Sequence, residues 1–155
     1  MCISSESGLR MENKSEIGMA VKQINDALQK HANNALRGQD LTLTQVGLLN
    51  TLYHADNYDM TLKEIERAHH VSQPTAHGIV RRLAEKRLVD TFDDADNRRI
   101  KHVRLTKEGR KQAAVSKEKV SDAEALLTKN LSKDEEEQLR ILLEKVKEGL
   151  LYLPK

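Results

Sequence analysis

Residues 71–110 read VSQPTAHGIVRRLAEKRLVDTFDDADNRRIKHVRLTKEGR. The first sixteen have the marks of a helix with two unlike faces. Ser72 is the expected N-cap, and Pro74 falls in the first turn, where a missing N–H costs little. Ala76, Ile79, Val80 and Leu83 follow the i, i+3, i+4, i+7 spacing of a buried stripe. At about 100° per residue the opposite face holds Pro74, Gly78, Arg81 and Glu85, flanked by Thr75, His77 and Arg82. That face is polar, basic and short-sided. The segments LVDTF and IKHVRL then alternate as the two strands of a hairpin around the tip DDADNRR.

Working outward, Ile17, Val21, Ile24 and Leu28 predict a long first helix from about Met11 to Leu36, ended by Gly38. Val46, Leu49 and Leu52 share one face of a second helix, with Thr44 as its expected cap. Residues 56–58 read as a turn. Thr61 and Glu64 have capping-box spacing, in which each side chain satisfies an orphan backbone N–H of the other. Leu62 and Ile65 face inward on that short third helix. Thr106 caps a helix to about Thr128, and Ser132 with Glu135 opens a final one. Leu139, Leu142, Leu143, Val146, Leu150 and Leu151 form its wide apolar stripe.

The expected fold is therefore mainly α with a small β-hairpin. A winged helix-turn-helix lobe over 41–105 is flanked by helices at 11–37 and 106–155, all in one domain, behind a disordered tail at 1–10. The flanking stripes are more than a chain with 3% aromatic residues and no Trp buries easily alone. They pack either on each other or on a second copy.

Charge is distributed unevenly over the 155 residues. Between Thr61 and Lys111 there are 13 Lys and Arg against 8 Asp and Glu, while the remainder holds 13 against 16. A basic centre between acidic ends suits a module that binds a polyanion. No apolar run reaches the roughly 18 residues of a spanning helix, which predicts no membrane partner. The N-terminus lacks a basic start followed by an apolar stretch, so a cytoplasmic protein is expected. The single cysteine, Cys2, excludes an internal disulfide framework and any multi-cysteine zinc site.

The order of elements in the middle suits duplex DNA. A helix fits the major groove and presents side chains to base edges. The candidate contacts are Ser72, Gln73, Pro74, Thr75, His77, Gly78, Arg81 and Arg82 on the helix, with Arg98, Arg99 and Lys101 on the hairpin. Thr75, His77 and Arg81 are of types that read base edges, while Arg81 or Arg82 can take phosphate instead. Gly78 is open to two readings. It is either a weak spot costing about 1 kcal/mol against Ala, or a gap that lets the backbone approach the groove floor. Arg98 and Arg99 either enter a narrow minor groove or pair with Asp93, Asp94 or Asp96.

These residues resemble the MarR family of bacterial transcription regulators. The likeness runs without a gap from Val71 to Gly109. The family's wing pattern, an Asp, one residue, Arg, then apolar-x-Leu-Thr-x-x-Gly, falls on Asn97, Arg99, Val103, Leu105, Thr106 and Gly109. The resemblance implies a homodimer made by the first and last helices, a pseudo-palindromic double-stranded DNA site, and repression relieved by a small anionic or aromatic effector. It implies a ligand cleft where the dimer helices meet the DNA lobe, here Arg37, Asn50, Tyr53 and His54.

Three positions depart from the family pattern. Asn97 replaces the wing Asp, with Asp96 beside it as a substitute after a small loop shift. Gly78 stands where Arg is common. Arg87 follows the recognition helix where Gly is usual, a strain of about 1 kcal/mol if the backbone is left-handed.

Catalysis is not expected. The sequence holds no Gly-rich phosphate loop and no placeable Ser/His/Asp set, and Asp93 and Asp94 lack apolar surroundings to raise a pKa. No cofactor is implied, and no His-x-x-x-His pair marks a metal site. The alternatives carried forward are a metal- or redox-responsive regulator of the same fold, and a winged-helix module that binds protein instead of DNA.

Overall fold

In a computed structural model, which describes residues 16–152, six helices and three short strands follow one another along the chain. Helix α1 spans Ile17–Ala35 and α2 spans Leu43–Tyr53. Strand β1 is Asp59–Thr61, followed by α3 at Leu62–His69 and α4 at Gln73–Glu85. Strands β2 (Val89–Asp93) and β3 (Lys101–Leu105) form the hairpin. Helices α5 (Lys107–Thr128) and α6 (Lys133–Leu151) complete the order. The expected tail at 1–10, Cys2, and the first residues of the predicted first helix lie outside the described residues.

Local chemistry sets most boundaries. Thr61 and Glu64 form their capping box, with the Glu64 carboxylate accepting from the Thr61 N–H at 2.7 Å. Ser72 caps α4, Thr106 caps α5, and Ser132 with Glu135 boxes α6. The second helix departs from expectation, because its cap is Thr42 and not Thr44. Gln45 lies three residues after Thr42 and returns the bond to the Thr42 N–H at 3.2 Å, so the earlier threonine closes a complete box. Helix α1 ends at Ala35, ahead of Gly38, which lies in a short 3-10 turn at Arg37–Gln39.

The hairpin gains a third strand that the sequence did not announce. Strand β1 pairs antiparallel with β3, giving the sheet order β1-β3-β2. Three residues carry too little alternation to reveal a strand, and the bonds that define it come from more than 40 residues away. Val89, Val103 and Leu105 turn one face of the sheet into the core. That core also takes Leu48, Leu49 and Leu52 of α2, Ile65 of α3, and Ala76, Val80 and Leu83 of α4.

Helix α1 packs on α5, yet Ile17, Val21 and Ile24 remain more than half exposed. No residue of α6 is buried. Leu142, Val146 and Leu150 are 57%, 53% and 67% exposed, so the long apolar stripe is left uncovered by the described residues. Among the described residues no helix is long and apolar enough to cross a membrane.

Candidate nucleic-acid interface

Helix α4 is held by one face and free on the other. Ala76, Val80 and Leu83 are buried, while Pro74, Thr75, His77, Arg81, Arg82 and Glu85 are exposed and Gly78 is half-exposed. A Cβ on Gly78 would meet nothing within 4 Å, so the helix backbone is open to an approaching surface there. The Ser72 hydroxyl accepts from the Thr75 N–H at 3.4 Å and shares a 2.9 Å bond with the Thr75 hydroxyl. Arg81 lies 3.9 Å from Glu85, a loose exposed pair that costs little to break.

A groove of about 510 Å³ runs between α4 and the sheet. Pro74, His77, Gly78 and Arg81 line one wall, and Thr91, Lys101 and Val103 the other. The structure therefore gathers four expected helix positions and one expected hairpin position around one groove. Thr75 and Arg82 border a separate hollow with Asn33, Thr42 and Thr44.

At the wing tip, the acids do not hold the arginines. Among the described residues Arg98 and Arg99 make no ion pair, while Asp93 binds Lys101 and Asp94 binds His102. The Asp94 Oδ1 accepts from the N–H groups of Asp96 and Asn97 at 2.9 and 3.1 Å. Asn97 Oδ1 in turn accepts from the Arg99 N–H at 3.1 Å. The Asp96 side chain makes no hydrogen bond among the described residues. Asp94 and Asn97 organise this turn, and the amide oxygen of Asn97 serves as the acceptor without a loop shift.

Behind the tip, the outward face of the sheet carries a cluster that sequence reading missed. Phe92 and His102 are cross-strand partners whose rings stack 5.1 Å apart at an interplanar angle of 10°. The Arg104 guanidinium lies 4.7 Å from the Phe92 centroid and donates to Asp59 at 2.7 Å. His102 Nδ1 lies 2.8 Å from Asp59 Oδ1, and its Nε2 lies 3.0 Å from Asp94 Oδ2. The hydrogen bond to Asp59, then that to Asp94, raises the His102 pKa above the ordinary histidine value. The Asp94 carboxyl is held low, chiefly by the Asp96 N–H and then by His102. The available signal was the two-residue spacing of His102 and Arg104, which puts both on one face of a strand. Their partner Asp59 lies on the unforeseen strand.

The four expected ligand residues are spread along α2 and the turn before it. Arg37 lines a hollow of about 460 Å³ with Asp40, Gln45, Arg82 and Lys86. Tyr53 and His54 lie at the far end of α2, an 11-residue helix roughly 16 Å long. There the Tyr53 ring packs against His54 and against Tyr58, which Arg110 covers from 4.9 Å. Asn50, half-buried, lies between the two ends. Among the described residues no group of three or more His, Cys, Asp or Glu is placed to hold a metal ion.

A capped helix pair, an outward-facing second helix and a strand-borne wing define a winged helix-turn-helix protein. Residues 39–100 match the model of the MarR family, and this lobe is similar to the transcription regulators of that family. Solved structures agree over most of the chain. The S. aureus MepR–DNA complex is 27% identical with a TM-score of 0.82, over 86% of this chain and 98% of that one. A mutant MarR from E. coli complexed with operator DNA is 26% identical with a TM-score of 0.78, over 85% and 94%. A probable transcriptional regulator from Pseudomonas aeruginosa is 26% identical with a TM-score of 0.77, over 85% and 97%. No curated protein sequence matches the chain.

Proposed function

We propose that the chain is a sequence-specific regulator that binds double-stranded DNA as a homodimer in the bacterial cytoplasm and represses transcription from a pseudo-palindromic operator. The observation that carries this reading is the exposed basic α4 face set across one groove from Lys101, with Arg98 and Arg99 at the wing tip making no ion pair among the described residues. In this reading α4 enters the major groove, Arg81, His77 and Thr75 meet base edges, and Ser72, Gln73 and Arg82 meet phosphates. Arg98 and Arg99 enter the adjacent minor groove, and Lys101 exchanges Asp93 for phosphate. Two of the structures of like fold hold DNA, which supports the same partner here.

The uncovered stripes of α1 and α6 support a dimer, since apolar surface of this extent is rare on monomers. The hollow lined by Arg37, Arg82 and Lys86, with Asp40 and Glu85 beside them, suits a small effector with an anionic group whose binding releases the DNA. Selection of duplexes from a random pool tests the reading. The expected product is an inverted repeat with half-sites about one helical turn apart, bound by two chains. Recovery of no duplex, or of single half-sites bound by one chain, contradicts it.

A further inference from the structure

The contacts around His102 need more protons than a neutral imidazole carries. A neutral ring has one N–H and one acceptor nitrogen, and only the cation donates from both. Here both nitrogens face carboxylate oxygens, Asp59 on β1 and Asp94 in the wing turn. The remaining surroundings are also informative. Phe92 on β2 offers its ring face, which favours a cation. Glu64 at the start of α3 adds negative charge nearby. Arg104, the like charge on the same strand, is engaged by the second oxygen of Asp59.

Asp94 is the connection from this cluster to the tip. One of its oxygens holds the N–H groups of Asp96 and Asn97, and the other faces His102. Arg98 and Arg99 follow directly. We propose that His102 is the positioning residue of the wing, a proton-dependent clasp that joins Asp94 to Asp59 and fixes the tip for DNA only while both ring nitrogens carry hydrogen. The inference rests on the DNA-binding reading of the wing. When the ring loses a proton, one nitrogen presents a lone pair to a carboxylate, that contact becomes repulsive, and the turn is released. DNA affinity therefore falls as pH rises through the His102 pKa, which lies above the ordinary histidine value.

Asp94→Asn gives the discriminating variant. An amide at this position keeps an oxygen for the two turn N–H groups and offers an N–H to a neutral His102. The clasp then closes without the second proton. His77 is a second histidine, exposed on the proposed DNA face of α4, so each protein is also measured with His77→Gln. The probe is a duplex of about 30 base pairs selected at pH 6, long enough for two half-sites.

The expected result in the His77→Gln background is a loss of affinity of about tenfold from pH 6 to pH 8.5 with Asp94 present, and a flat profile with Asp94→Asn. An unchanged slope in Asp94→Asn overturns the clasp. NMR titration of the full chain without DNA separates this failure from failure of the DNA reading. The His102 Cε1 resonance is expected to titrate above the ordinary range, with the Asp96 and Asn97 amides following the same midpoint. If no duplex binds, that coupled titration still upholds the proton clasp and removes only its use on DNA. A His102 midpoint at or below the ordinary value, or tip amides that ignore it, overturns the clasp itself.

Discussion

Gly109 sits against the carbonyl of Leu88 so closely that a Cβ there would stand 1.9 Å from the carbonyl oxygen. The same oxygen accepts the Thr106 N–H at 3.1 Å, and the Thr106 hydroxyl donates to the Arg87 carbonyl at 2.8 Å. The first turn of α5 is thereby joined to the residues that leave α4 and begin the wing. The Leu-Thr-x-x-Gly run has a physical basis in this junction: a buried leucine, a cap, and a residue without a side chain where two backbones meet.

Gly109→Ala is expected to destabilise the fold by about 1–3 kcal/mol or more, because backbone must move to admit the methyl group. Gly47→Ala is the control, since its Cβ would make only an ordinary 3.8 Å contact with His69. That variant is expected to gain up to about 1 kcal/mol from helix propensity. Urea unfolding of both variants checks the pair, and equal effects would contradict the junction.

Arg87 has φ 58°, a left-handed backbone on a side chain that is exposed. Arg87→Gly is expected to stabilise the protein by about 1 kcal/mol, the strain of an L-residue there less the extra entropy of glycine. A lower melting temperature would show that the arginine side chain contributes more than its backbone costs.

Gly78→Ala separates the two readings of that position. Both predict a helix more stable by about 1 kcal/mol. If the α4 backbone lies close to the groove floor, DNA affinity falls while stability rises. Unchanged affinity would make Gly78 a weak spot and nothing more.

His69 and His102 act on stability with opposite sign. Burial lowers the His69 pKa, and among the described residues its Nε2 has no hydrogen-bond partner. The folded state therefore binds fewer protons at His69 than the unfolded chain, and stability is lost as pH falls from about 6.5 through the lowered value. His102, with its raised pKa, supplies stability that is present below the unfolded value and lost as pH rises through the folded one. His69→Leu is expected to reduce the loss below pH 6.5 in urea titrations. An unchanged acid limb would remove His69 from the balance.

The sequence made the α4 region legible because its signals are local. Ser72 and Thr75, Pro74 in the first turn, and the stripe through Ala76, Val80 and Leu83 all act within one helix. The hairpin was legible for the same reason, since its strands are neighbours in the chain. Thr42 displaced Thr44 as a cap because a glutamine three residues on completes a box as glutamate does. Strand β1 and the Asp59–His102–Asp94 cluster were hidden because they depend on residues brought together from over 40 positions apart. The acids of the tip were close enough in sequence to suggest pairing with Arg98 and Arg99, but spacing alone did not reveal that Lys101 and His102 occupy them.

The central claim is that α4 and the wing together bind duplex DNA. It is tested most directly by measuring affinity for a selected duplex across salt concentrations, for the natural chain and for Arg98→Ala with Arg99→Ala. The natural chain is expected to lose affinity steeply with salt, as phosphate contacts demand. The double variant is expected to bind more weakly with a log–log slope shallower by roughly 2, if each arginine neutralises a phosphate, and with its mass in solution unchanged. Binding that is indifferent to salt, or a double variant that binds as the natural chain does, would contradict the account.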